Sequence, residues 1–363
     1  MHAGLPDAED GQPIAPGPVL AAPYHLAGDV EGAAHGGYGR YGNPTTERLE
    51  AAIGVLEGGR VLAFASGMAA TTAALLPLVA AGDVLVVCAD GYPGIRKLVA
   101  DHLPHARTEV RLVPTITEEI IAACPGAALV WVETPSNPGL DVCDLRAVAA
   151  AAHEAGARLI VDNTLATPLG QTPLTLGADL VVAAATKALA GHSDVLLGYT
   201  ATRDEALHAR LRAWRDTTGA IPGPFEAWLV HRSLATLNLR LERSSANALA
   251  LAEALRRHPG VNDVRHPATH AVARAQMRRF GPLVCFTLDD AAAAQAFLNA
   301  ARLVTEATSF GGVHTTAERR GRWGTDAVAE GFIRLSAGIE DTEDLVADVL
   351  AALDVTGQTT GPP

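Results

Sequence analysis

The sequence predicts an α/β fold, with a large domain built on a mostly parallel sheet and a smaller C-terminal α+β domain behind it. Three observations carry this. Short β-branched runs alternate with Ala- and Leu-rich stretches as far as about Thr202. The β-branched runs are almost continuously apolar, as strands covered on both faces are, instead of alternating apolar and polar. Aromatic content is only 4% against 48% apolar, with many Ala, Gly and Val residues, which favours helices packed on a sheet over a β-sandwich.

In chain order, residues 1–48 are rich in Gly, Pro and Ala with little periodicity and read as an extended N-terminal arm. Residues 49–244 form the large domain. Its strand candidates are "RVLAFASG", "DVLVVCAD", "EVRLVP", "AALVWVETP", "RLIVDNT" and "DLVVAAATK"; "MAATTAALLPLVAAG", "TEEIIAAC" and "DLRAVAAAAHEAGA" read as helices. A long helical pattern, "PFEAWLVHRSLATLNLRLERSSANALALAEALRRHPG", then runs to a Gly, where helices often stop. It leads into a small domain, 245–363, with "LVCFTL" and "GFIRLSAG" as strands and "TGQTTGPP" as a disordered tail.

A formal net charge of -12 argues against nucleic acid and anionic membrane as partners, because both reward basic patches. The chain opens with no basic segment ahead of a short apolar core, and no apolar run reaches spanning length, so a soluble, cytoplasmic protein is expected. Cys88, Cys124, Cys143 and Cys285 lack CxxC spacing and read as buried thiols, with no metal site.

Ligands of such sheets bind beyond the carboxyl ends of the strands. Three ends stand out: "ARLIVDN" delivers Asp162, "LVWVETPSNP" delivers Glu133 and Asn137, and "VVAAATK" delivers Lys187. A carboxylate and an amine in one crevice could be a plain buried salt bridge. The functional reading is pyridoxal 5'-phosphate (PLP), with Lys187 forming the Schiff base and Asp162 pairing with the pyridine nitrogen. A phosphate cradle is available where Gly67 and Met68 start a helix directly after a strand, and Thr186 adds a hydroxyl. Tyr92 could stack on the ring or be a core tyrosine.

The motifs "YGRYGNPTTERLEAAIGVLEGG", "ASGMAA", "ETPSNP", "VDNTLATP", "TKALAGHSD" and "IRLSAGIEDTEDL" resemble, in order and spacing, the PLP-dependent enzymes of cysteine and methionine metabolism. The likeness runs from about Tyr38 to Leu345 and implies the aminotransferase-like fold type I. It implies that Lys187, Asp162 and Tyr92 are catalytic, that Asn137 contacts the ring's phenolic oxygen, and that Gly67, Met68 and Thr186 hold the phosphate. Tyr38 and Arg40 would reach the phosphate of a neighbouring subunit, in a dimer with shared sites that assembles to a homotetramer. Arg334, assisted by Ser309, would bind the substrate's α-carboxylate.

The resemblance implies a γ-lyase acting on a sulfur amino acid, cystathionine γ-lyase first. The alternative is γ-replacement by a cystathionine γ-synthase or O-acylhomoserine sulfhydrylase. A non-catalytic paralogue is a third reading, weighed against by the intact Lys187 and Asp162. Three positions depart from the family pattern. Ala184 replaces a phosphate-binding Ser, Gly94 stands where methionine γ-lyases tend to carry Cys, and His314 stands where a Glu reads the distal ammonium of cystathionine.

Overall fold

The computed structural model describes residues 2–5, 7, 9–28, 33–103 and 107–358. Helix α1 (Pro44–Glu57) begins at Asn43, whose side chain accepts from Thr45 N at 2.8 Å, and ends at Gly58 in the left-handed region. Strands and helices then alternate: β1 (Arg60–Phe64), α2 (Gly67–Leu75), β2 (Val84–Cys88), α3 (Pro93–His102), β3 (Glu109–Val113) and α4 (Thr117–Ala123). They continue with β4 (Leu129–Glu133), α5 (Leu145–Glu154), β5 (Arg158–Asp162), α6 (Thr167–Gly170), β6 (Leu180–Ala183) and β7 (Gly198–Thr202).

These strands make one sheet in the order β1-β7-β6-β5-β4-β2-β3. β7 runs antiparallel to both neighbours and the remaining pairs are parallel. Apolar clusters cover both faces: Leu62, Phe64, Trp131 and Ile160 on one side, Val86, Val130, Leu159 and Val161 on the other. Each fully buried Leu, Val or Phe contributes roughly 1.5–3 kcal/mol, and this double coverage explains why the strands read as continuous apolar runs.

Helices α7 (Glu205–Thr218), α8 (Pro224–Leu234) and α9 (Leu237–Leu255) follow. The long helical pattern is therefore two helices, parted at Ala235 and Thr236, and the second stops at Leu255, short of Gly260. Along α9, Leu237 and Leu241 pack with the large sheet's Val181 and Tyr199, whereas Ala248, Leu251 and Leu255 pack with Phe286, Ile333 and Val349. One continuous helix thus enters two cores.

Beyond it lie β8 (Asn262–Arg265), α10 (Ala271–Gln276), β9 (Leu283–Thr287), α11 (Ala291–Ala300), β10 (Thr305–Glu306), β11 (Thr316–Arg319), β12 (Phe332–Ser336) and α12 (Thr342–Gln358). The second sheet has the order β10-β11-β12-β9-β8. Helix α12 takes in residues 356–358 of the expected tail, and 359–363 lie outside the described residues. No helix among the described residues is long and apolar enough to cross a membrane.

Candidate active site

A cleft of about 350 Å³ opens at the carboxyl ends of β4, β5 and β6, closed on its far side by the second sheet. Gly67, Met68, Tyr92, Asn137, Asp162, Thr186, Lys187, Ser309 and Arg334 all line it. Of the remaining candidates, Tyr38 lies on the arm, 45% exposed. Arg40 donates to Asp216 O at 2.5 Å and lies over the Tyr41 ring. His314 is exposed and is not among the lining residues.

The floor is the start of α2. Ser66 caps it by accepting from Ala69 N at 3.1 Å, which leaves the amides of Gly67 and Met68 without an acceptor among the described residues. Gly67 is needed for close packing, since a Cβ there would lie 2.7 Å from the Ala184 Cβ. Strand β6 stops at Ala183, so Lys187 sits in the turn after the strand and not on it. Thr186 pins that turn: its Oγ1 donates to Leu197 O at 3.1 Å and accepts from Leu197 N at 2.9 Å.

Lys187 Nζ donates to Ser309 Oγ at 2.6 Å and lies 5.0 Å from the centre of the Phe310 ring. Burial, with the Arg334 cation nearby, brings its pKa down to about 8. Ser309 is placed by a turn with φ 79°, a conformation a residue with a side chain rarely adopts.

Glu133 and Asp162 are register partners at the ends of β4 and β5. Burial raises both, and Asp162 pushes Glu133 further, well above the carboxylate range. Asp162 is eased back by hydrogen bonds from Thr164, one of them from the amide at 2.9 Å, and by Lys187. The proton of the pair therefore rests on Glu133 and the charge on Asp162. Glu133 also accepts from Tyr92 N at 2.5 Å, fixing the start of α3. The Tyr92 ring folds back over Gly94, where a Cβ would meet it at 2.4 Å and Met68 Sδ at 2.8 Å. A side chain at position 94 would displace this ring.

Arg334 is buried at 4% exposure. It donates through Nη1 to Asn137 Oδ1 at 2.5 Å and through Nη2 to Ser309 O at 3.3 Å and to Glu318. Sequence reasoning missed Glu318 and Arg320, a buried acid and a cavity-lining arginine in "AERRGRWG". So many charges in one run read as a solvated loop. The available signal was the apolar Ala317 and the Trp323 within that run.

The family described as Cys/Met metabolism PLP-dependent enzyme matches residues 25–354. A Streptomyces coelicolor protein provisionally named cystathionine γ-lyase is 55% identical, over 98% of this chain and 93% of its own. Cystathionine γ-synthase of Mycobacterium bovis is 38% identical, over 97% of this chain and 95% of its own. Among solved structures, cystathionine γ-synthase from Xanthomonas oryzae pv. oryzae in complex with cystathionine superposes with a TM-score of 0.92 at 35% identity, covering 99% of this chain and 97% of that one.

Proposed function

Because the chain belongs to the Cys/Met metabolism PLP-dependent enzyme family, we propose that it is a γ-lyase that converts cystathionine to cysteine, 2-oxobutanoate and ammonia. What supports the lyase over the synthase is the 55% identity, over nearly the full length, to a relative that bears the lyase name.

The site fits the cofactor. Two amides at the start of α2, those of the cleft-lining Gly67 and Met68, have no acceptor among the described residues. A charged Asp162 and a lysine of lowered pKa lie in the same cavity. Gly67 and Met68 would hold the phosphate, Asp162 the pyridine nitrogen and Asn137 the phenolic oxygen, with Tyr92 on the ring face. Thr186 could join them only by giving up one of its bonds to Leu197. When bound, PLP supplies an electron sink for the charge left at the substrate's Cα.

The chain's own residues do the rest. Arg334 takes the α-carboxylate by its charge and by a hydrogen bond from a donor that Asn137, Ser309 and Glu318 leave free. Lys187 Nζ has a neutral fraction at neutral pH, so it can accept the Cα proton, and Ser309 Oγ orients it. Tyr92, which lines the cleft and is 46% exposed, would protonate the departing thiolate. Tyr38 and Arg40 serve the neighbouring subunit's phosphate, so the working unit is a homo-oligomer with shared sites. The enzyme acts in the cytoplasm, where its four buried cysteines stay reduced.

The deciding experiment supplies cystathionine alone to the PLP-loaded enzyme and follows 2-oxobutanoate and ammonia. Steady release of both supports the lyase. If cystathionine is inert while O-acylhomoserine and cysteine together give a thioether, the enzyme is the synthase instead.

A further inference from the structure

Arg334 is one end of an ion-pair relay beside the cleft, which Arg334 and Arg320 line. Glu318 of β11 stands in register opposite Arg334 of β12. Its Oε1 accepts from Arg334 Nη2, and from Arg320 Nη1 at 2.9 Å, while its Oε2 accepts from Trp323 Nε1 at 2.9 Å. Arg320 turns its other edge to Asp326, with Nε donating to Oδ2 at 3.0 Å and Nη2 donating to the same oxygen. The second oxygen of Asp326 accepts from Arg96 Nη2 at 3.0 Å. Arg96 lies on α3, one turn past Tyr92, so the relay runs from the small domain to the helix that carries the ring-stacking tyrosine.

The interior of the relay is dry: the side chains of Glu318, Asp326, Arg320 and Arg334 are 3%, 2%, 8% and 4% exposed. Buried ion pairs of this kind add little net stability, because desolvation offsets most of the attraction. Their value therefore lies in what they hold in place. Three guanidinium groups face two carboxylates, so one positive charge is left over, the complement of a single ligand carboxylate. Glu318, Ser309 O and Asn137 together fix the plane of Arg334, leaving its Nε and one Nη1 hydrogen without an acceptor among the described residues. Arg96 Nε is buried without a partner, which makes Asp326 the one acceptor holding Arg96 among the described residues.

We propose that Arg320 and Asp326 are positioning residues for the substrate's α-carboxylate. Through Glu318 they fix the guanidinium of Arg334, and through Arg96 they hold the small domain against α3, so that carboxylate and Tyr92 ring keep a set separation. This rests on the reading that Arg334 takes the α-carboxylate.

The test compares two ligands of the PLP-loaded protein that differ only in that group, L-2-aminobutyrate and propylamine, with affinities read from the cofactor's absorbance. Wild type binds aminobutyrate more tightly. Asp326→Asn and Arg96→Met should each weaken aminobutyrate by about tenfold, the scale of a lost charged hydrogen bond, and leave propylamine within about twofold. Arg96→Lys, which keeps a donor and the charge, should recover part of the loss. Equal weakening of both ligands, or of neither, overturns the proposal. A wild type indifferent to the carboxylate overturns the Arg334 reading as well, a separate result. Should Asp326→Asn fail to fold, Arg96→Met carries the comparison alone, because the Arg96 side chain is 24% exposed.

Discussion

Two carboxylates that are register partners on β4 and β5 hold one proton, on Glu133, and their substitutions should behave in opposite ways. Glu133→Gln preserves a neutral acceptor for Tyr92 N and should keep turnover within about threefold, whereas Asp162→Asn removes the charge proposed to pair with the ring nitrogen and should cost about a hundredfold or more. Turnover of both variants at saturating cofactor checks this; equal losses would show that the proton is not held on Glu133. Glu57 offers a second test, away from the cleft. It is buried at 1% exposure, accepts from Tyr199 Oη at 2.6 Å through one oxygen and has no partner for the other among the described residues. Burial raises its pKa from 4.5 to about 7. The folded state then binds a proton that the unfolded chain has lost, so the stability from this group is complete below pH 4.5 and disappears as pH rises through about 7. Relative to wild type, Glu57→Gln should gain up to about 3 kcal/mol between pH 4.5 and 8, read as a widening gap in Tm; parallel Tm curves would contradict it. That Asp162 and Lys187 meet in one cleft was legible because Asp162 closes an apolar strand run and Lys187 comes just after another. Glu318 and Arg320 were not, because the partners that let them be buried come from β12 and the loop around Asp326.

At the level of elements, the turn that carries Lys187 is held from behind. Arg240 of α9 is a buried arginine that donates to Ala188 O at 2.6 Å, Leu189 O at 3.2 Å and Ser233 O at 2.9 Å, and has no carboxylate partner among the described residues. Gly191 closes the turn at φ 71°, and a Cβ there would lie 1.8 Å from Arg240 Nη1. Gly191→Ala should therefore displace the guanidinium, strain the backbone and lower both Tm and turnover, the latter by about tenfold or more. Retained turnover at full cofactor content would count against the brace. The parallel strands were legible from their apolar runs. β7 was missed because "GYTAT" mixes Gly and Thr with its apolar residues, and it gains its place by pairing with β1 and β6. The break between α8 and α9 has neither Gly nor Pro to announce it, and it falls within the first core, which Val230 of α8 and Leu237 of α9 both enter.

For the whole molecule, the arm is the feature a single chain does not explain. Tyr38 and Arg40 sit away from the cleft, and Ile14 and Leu20 on the same arm are 91% and 76% exposed, as expected of a surface that a second copy covers. Mixing inactive Arg40→Ala with inactive Lys187→Ala should restore activity, because one site in each hybrid dimer is intact. Subunit exchange without recovery would refute shared sites. Helix α9 sets a further rule, about which changes in chain length the protein can absorb. Because its two ends are fixed in different cores, one residue inserted between Leu241 and Ala248 would turn everything beyond it by about 100° and advance it by about 1.5 Å. Arg334 lies beyond that point and Lys187 before it, so such an insertion would pull the two halves of the site out of phase, while the same residue added to an exposed loop would leave them facing each other.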